Sequence, residues 1–95
     1  MDIVDITKKA EPIFRRNRVL YAAIFGSRAR GDNRPDSDLD IMVRFKKDPT
    51  LFGLVGMNNE LTDALGVEVD LVMEDGMYPQ IKKNAEEDFK AIYGD

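Results

Sequence analysis

Apolar residues recur every three or four positions through the first stretch of the chain, where Ile3, Ile6, Ala10, Ile13 and Phe14 are interleaved with Lys8, Lys9, Arg15 and Arg16. That spacing predicts an amphipathic helix from Asp2 to about Asn17, with a kink or restart near Ala10 to Pro12, because proline removes a backbone hydrogen bond. The pattern then changes. Val19 to Phe25 is an unbroken apolar run rich in β-forming residues that stops at Gly26, which predicts a buried strand. Ser27 to Gly31 reads as a short helical turn, and Asp32-Asn33-Arg34-Pro35-Asp36-Ser37 as an exposed loop dense in turn residues. From Asp38 to Phe45 the positions alternate, with Leu39, Ile41 and Val43 on one side and Asp38, Asp40 and Met42 on the other.

Helical spacing returns after Asp48-Pro49-Thr50, where Leu51, Leu54, Val55, Asn58, Leu61 and Leu65 mark one face of a helix that ends at Gly66. Val67 to Val72 alternates as a third strand, with Val67, Val69 and Leu71 on its apolar side. After a turn at Glu74-Asp75-Gly76, the stretch from Pro79 to Tyr93 reads as one or two short helices, with Ile81, Ala85, Phe89, Ile92 and Tyr93 as candidate core contacts. The expected fold is α/β (α+β): a small mixed sheet of three strands backed by the first helix and by the helix from Thr50 to Leu65, with its acidic face open.

With 95 residues and no internal repeat, the chain has room for one domain with one core. No apolar run is long enough to span a bilayer, and Met1-Asp2-Ile3-Val4-Asp5 lacks the basic start of a signal peptide, so no membrane association and a cytoplasmic location are expected. The net charge of −4 argues against direct nucleic-acid binding through bulk charge. Composition narrows the chemistry further, because the sequence has no Cys and no His. Disulfides, thiolate nucleophiles, Ser-His-Asp arrangements and the usual zinc sites are excluded. Catalysis would have to use carboxylates, amines, hydroxyls or a metal bound through oxygen.

Asp38 and Asp40 fall on one side of the second strand, where two carboxylates repel each other unless a cation lies between them. Oxygen ligands suit Mg²⁺ or Mn²⁺, and two such ions about 3.5–4 Å apart can clamp an in-line phosphoryl displacement. The competing reading places both acids on the solvent face of an edge strand. Upstream, Gly26 permits close backbone approach, and Ser27 with the amides of a helical turn can hold a phosphate oxygen. A serine there can equally be a helix cap. Arg28, Arg30 and Arg34 add a basic cluster, of which Arg28 is the candidate nearest the phosphate; Arg28 and Arg30 also fit as solvated loop charges, and for Arg34 that is the favoured reading. Met42, Met57 and Met73 read as core filler and Lys46-Lys47-Asp48 as a solvated strand exit; Tyr78 and Tyr93 could be modification sites, but ordinary exposed or half-buried tyrosines are the simpler reading.

Gly26-Ser27, ten residues from Arg28 to Ser37, then Asp38-Leu39-Asp40 resembles the signature of the polymerase-beta-like nucleotidyltransferases. The wider string GSRARGDNRPDSDLDIMV resembles their smallest branch, the minimal nucleotidyltransferase (MNT) domain proteins. The resemblance covers Val19 to Val72 by motif and the whole chain by length and order of elements. It implies that Gly26 and Ser27 bind the triphosphate and that Asp38 and Asp40 ligate the metals, Mg²⁺ as two ions or Mn²⁺. A third carboxylate is implied on a later strand, where Asp70 matches and Glu68 competes. The family also implies ATP as substrate and a complex with a helical HEPN-domain toxin, to a tyrosine of which the MNT antitoxin adds AMP, as in a type VII-like toxin-antitoxin pair. Transfer to a small molecule, or neutralisation of a partner by occlusion without catalysis, are the alternatives.

Overall fold

The computed structural model describes residues 2–94, apart from the side chains of Ile81 and Ala85. Those two expected core contacts therefore lie outside the described residues. Helix α1 (Ile3–Arg16) begins at Asp2, whose carboxylate accepts the Asp5 amide at 2.9 Å, and buries Ile6, Ala10, Ile13 and Phe14. Of the kink or restart expected near Ala10 to Pro12, the restart does not occur: the helix runs continuously past Pro12. Pro12 faces solvent while Ala10, Ile13 and Phe14 are held in the core, so packing outweighs the one missing backbone bond.

Strands β1 (Val19–Phe25) and β2 (Leu39–Phe45) pair antiparallel, joined by the short helix α2 (Ser27–Arg30) and its loop. Helix α3 (Leu51–Leu65) is capped by the Thr50 hydroxyl, which accepts the Gly53 amide at 3.1 Å, and it ends at Gly66 in the left-handed conformation. It leads into β3 (Val69–Met73), which pairs parallel to β2. As β3 is an edge strand, its outward amides need other partners. The Thr62 hydroxyl takes that of Val69 and the Asn58 carbonyl oxygen that of Leu71, each at 3.2 Å, so α3 also covers the sheet edge.

A fourth strand was not anticipated. Residues read as the end of a helix form β4 (Lys90–Tyr93), which pairs antiparallel with β1 and completes the order β3-β2-β1-β4. Only Pro79–Glu86 is helical there, as α4. Phe89, Ile92 and Tyr93 keep a three-to-four residue spacing that imitates a helix face, but Ile92 enters the core from a strand and Tyr93 packs its ring on Phe14.

One sheet face carries Ile24, Leu39, Ile41, Val43 and Val69 against α1 and α3. The stripe expected on α3 is corrected in its first half: Met57, Leu61 and Leu65 are buried, whereas Leu51 and Val55 are 75% and 50% exposed. Leu51 shares the angular position of Asn58, about two turns on, but it lies at the helix start, outside the core. The other face is less open than the sequence implied. Because β3 and β4 are opposite edges, the chain between them must cross the sheet, and Phe89 meets Phe25 edge-on at 5.6 Å between centroids. Under this crossing segment Ala23 and Met42 are buried, and the acidic end of the face stays accessible. None of the described helices is long and apolar enough to cross a membrane.

Candidate active site

β1 delivers Phe25 opposite Asp40, and the chain then turns at Gly26 with φ +78° and ψ −158°. Glycine is required there twice over. Its φ is one that L side chains rarely adopt, and a Cβ at this position would collide with Oδ2 of Asp40. The Gly26 carbonyl accepts the amides of Ala29 and Arg30, both at 3.1 Å, and Gly31 closes the turn with φ +82°. Gly26 is thus the cap and Ser27 the first helical residue, so the capping role considered for Ser27 is not realised. The amides at the start of such a turn have no acceptor within it, and Ser27 presents its hydroxyl beside them.

The parallel register places Asp40 directly opposite Asp70. One position earlier, the Leu39 amide donates to the Glu68 carbonyl at 2.8 Å, so Glu68 stands at the strand entrance, level with Asp38. Asp38 and Asp70 are exposed and Asp40 half-buried. Burial raises the Asp40 pKa above the ordinary carboxylate value, the charges of Asp70 and Asp38 raise it further, and Arg30 opposes them. Of the two competitors for the third carboxylate, Asp70 is therefore the one that Asp40 senses.

As placed, no three acidic side chains among the described residues close into a finished metal cage. Side-chain rotations would be needed for them to converge on a cation. The chemistry of the donors suits a hard divalent ion: Asp40 and Asp70 on adjacent strands and Asp38 at the entrance to β2, with bare backbone at Gly26 against Asp40, where any side chain would fill the space.

The arginines separate. Arg28 turns away from the acids and spends its guanidinium on the following loop, with Nε and Nη2 donating to the Ser37 carbonyl at 2.9 and 2.7 Å and Nη2 to that of Pro35 at 3.4 Å. It thereby holds the residue next to Asp38. The Arg34 amide donates to the Ser37 hydroxyl at 2.8 Å, which shapes the same loop. Arg30, read from sequence as a candidate solvated charge, is the arginine whose field reaches Asp40. It pairs with Asp88 at 2.9 Å and Asp32 at 3.2 Å, and these partners hold it more firmly protonated.

Phe25, Asp40, Asp70, Val72, Gly76, Met77 and Tyr78 line a cavity of about 250 Å³ at the acidic end of the sheet. No sequence pattern placed Met77 or Tyr78 beside these acids, because the path of the chain after β3 brings them there. A larger hollow of about 420 Å³ lies between Arg44, Glu74 and Lys82, but these charged groups are already paired with one another. The smaller cavity beside the unpaired carboxylates is the one equipped for chemistry.

The nucleotidyltransferase domain family model matches residues 7–92. The chain belongs to this family. Nucleotidyltransferase relatives include a Methanocaldococcus jannaschii protein provisionally named a protein adenylyltransferase, 39% identical over 86% of this chain and 88% of its own length. The protein adenylyltransferase MntA of Thermococcus cleftensis is 35% identical over 82% of this chain and 79% of its own length. Among solved structures, an MNT antitoxin in complex with a tri-AMPylated HEPN toxin from Shewanella oneidensis is 20% identical, covers 99% of this chain and 74% of the matched chain, and superposes with a TM-score of 0.76. At that identity it supports the fold, a mixed sheet with helices of nucleotidyltransferase type.

Proposed function

We propose that this nucleotidyltransferase moves AMP from ATP to a tyrosine of a HEPN-domain partner protein, with divalent metal, Mg²⁺ or Mn²⁺, held by Asp38, Asp40 and Asp70. The observation that carries the reading is the in-register pair Asp40 and Asp70 beside the bare backbone of Gly26. The protein adenylyltransferase relatives supply the nucleotide and the class of acceptor, and the antitoxin complex supplies the kind of partner. A cavity of about 250 Å³ is small and open beside the several hundred Å³ usual for an enclosed small-molecule site, which favours an acceptor displayed on another macromolecule.

In this reading Gly26 and Ser27 receive the triphosphate at the first amides of α2, and Arg30 offsets phosphate charge from the neighbouring side. Arg28 acts at one remove, holding the loop that leads into Asp38. The metal would supply charge neutralisation at the reacting phosphate. Asp70, at the cavity wall, takes the proton of the attacking hydroxyl.

The test combines labelled ATP, Mg²⁺ and the product of the neighbouring gene, which this reading expects to be a HEPN protein. Label is expected on a tyrosine of the partner and is expected to vanish with the double substitution Asp38→Ala and Asp40→Ala, the fold being checked by circular dichroism. Transfer that survives the double substitution overturns the metal assignment. A tight complex without transfer favours occlusion.

A further inference from the structure

The chain has three tyrosines, and their surroundings differ. Tyr21 is half-buried beneath the Arg44 guanidinium, 5.4 Å from its ring centroid, and Tyr93 is packed on Phe14. Tyr78 is 75% exposed, yet it lines the same cavity as Asp40 and Asp70. An aromatic side chain that is mostly in water contributes little to the core, so burial does not account for its place.

The segment that bears it is fastened on both sides. Before it, Glu74 accepts Arg44 Nε and Lys82 Nζ, each at 2.8 Å, and the Met77 amide donates to the Glu74 carbonyl at 3.2 Å. After it, the Tyr78 carbonyl accepts the Lys82 amide at 2.9 Å at the start of α4. The backbone of Tyr78 is therefore anchored at the wall of the cavity that Asp40 and Asp70 also line. A phenol tethered to that wall is presented to the site at high effective concentration without any partner.

We infer that Tyr78 is itself an acceptor, and that in the absence of a partner the chain adenylylates its own Tyr78 in cis. The inference rests on the adenylyl-transfer reading above and adds a modification site on the enzyme. In the step, the phenolic oxygen of Tyr78 bonds to the α-phosphorus of ATP and the bond from that phosphorus to the bridging oxygen of the β-phosphate breaks. Pyrophosphate leaves, and the phenolic proton passes to the Asp70 carboxylate and on to water. The product, a tyrosine bearing AMP at the cavity wall, occupies the space that an incoming partner tyrosine needs.

The experiment incubates the purified chain alone with labelled ATP and Mg²⁺ and maps the label by peptide mass spectrometry. In parallel, the chain is incubated with the HEPN protein. AMP on Tyr78, formed at a fractional rate independent of protein concentration and absent from Tyr78→Phe, is the expected result. A rate that rises in proportion to protein concentration overturns transfer in cis. If the HEPN protein is labelled while Tyr78 stays unmodified, the inference fails and the partner reading stands. If Tyr78 is labelled and the HEPN protein is not, the inference stands and the partner reading fails. With neither labelled, both fall.

Discussion

Asp40 and Asp70 face each other across adjacent parallel strands, so two like charges are carried where only one of the two side chains is well exposed to water. Burial, Asp70 and Asp38 together raise the proton affinity of Asp40 in the folded chain above that of the unfolded chain. The sign follows from linkage: the folded state gains relative stability where Asp40 is protonated, in full below the ordinary aspartate range, and loses it as pH rises through the raised value. Asp40→Asn cannot ionise. It is expected to raise the thermal midpoint at neutral pH in the presence of EDTA and to have little effect in acid, while abolishing adenylyl transfer. Calorimetry at the two pH values, with and without Mg²⁺, checks this, and Mg²⁺ should stabilise the wild type but not the variant.

Gly26 lies against that same carboxylate. Gly26→Ala introduces both a strained φ and a collision with Oδ2 of Asp40. Strain of this kind costs about 1–3 kcal/mol. Chemical denaturation should show a loss of that size, and transfer should fall further than the lost stability explains, because the substitution displaces a carboxylate proposed to hold the metal.

The two arginines of α2 should give different phenotypes. Arg30→Ala removes a charge-assisted contact worth about 1.5–3 kcal/mol if it binds phosphate, which corresponds to about a 10- to 100-fold rise in the KM for ATP. Arg28→Ala instead releases the loop held through Ser37. Its expected signature is faster amide exchange from Pro35 to Asp38 and weaker Mg²⁺ binding. Steady-state kinetics and hydrogen exchange separate the two, and a larger KM effect from Arg28→Ala would reverse the assignment.

Glu74 joins β2 to α4 through Arg44 and Lys82, and hydrogen bonds from Lys82 and Arg44 lower its pKa. Here the sign is opposite to that of Asp40: the stabilisation is present above the ordinary glutamate range and fades as pH falls through the depressed value. Because Arg44 and Lys82 keep contact with water and Glu74 is only half-buried, screening limits the cost of Glu74→Gln to about 1 kcal/mol. Its clearer effect should be faster amide exchange across residues 74–82 at neutral pH, with wild type and variant converging in acid.

The parts of the site carried in one contiguous stretch were legible in the sequence. Gly26, Asp38 and Asp40 stand out through residue type and a strand period of two, and Leu39, Ile41 and Val43 point to the core as that period demands. Asp70 needed the parallel register, which no local pattern encodes. Arg28 and Arg30 were harder to tell apart for a geometric reason: two positions on a helical turn point about 200° apart, so the absolute orientation of the turn decides which one faces the acids. β4 was missed because four residues with one buried side chain carry too little alternation to compete with the helical spacing of Phe89, Ile92 and Tyr93. Met77 and Tyr78 reach the cavity on the segment that follows β3, whose path back over the sheet no local pattern reveals.

The path from β3 to β4 across the acidic face also has a consequence for the order in which the chain folds. Strands β1, β2 and β3 pair with neighbours that follow one another in the sequence, whereas β4 closes on β1 only after the chain has crossed back from the opposite edge, the pairing of greatest sequence separation in the sheet. A four-residue edge strand with one buried side chain is also the part of the sheet with least to hold it, so opening there costs least.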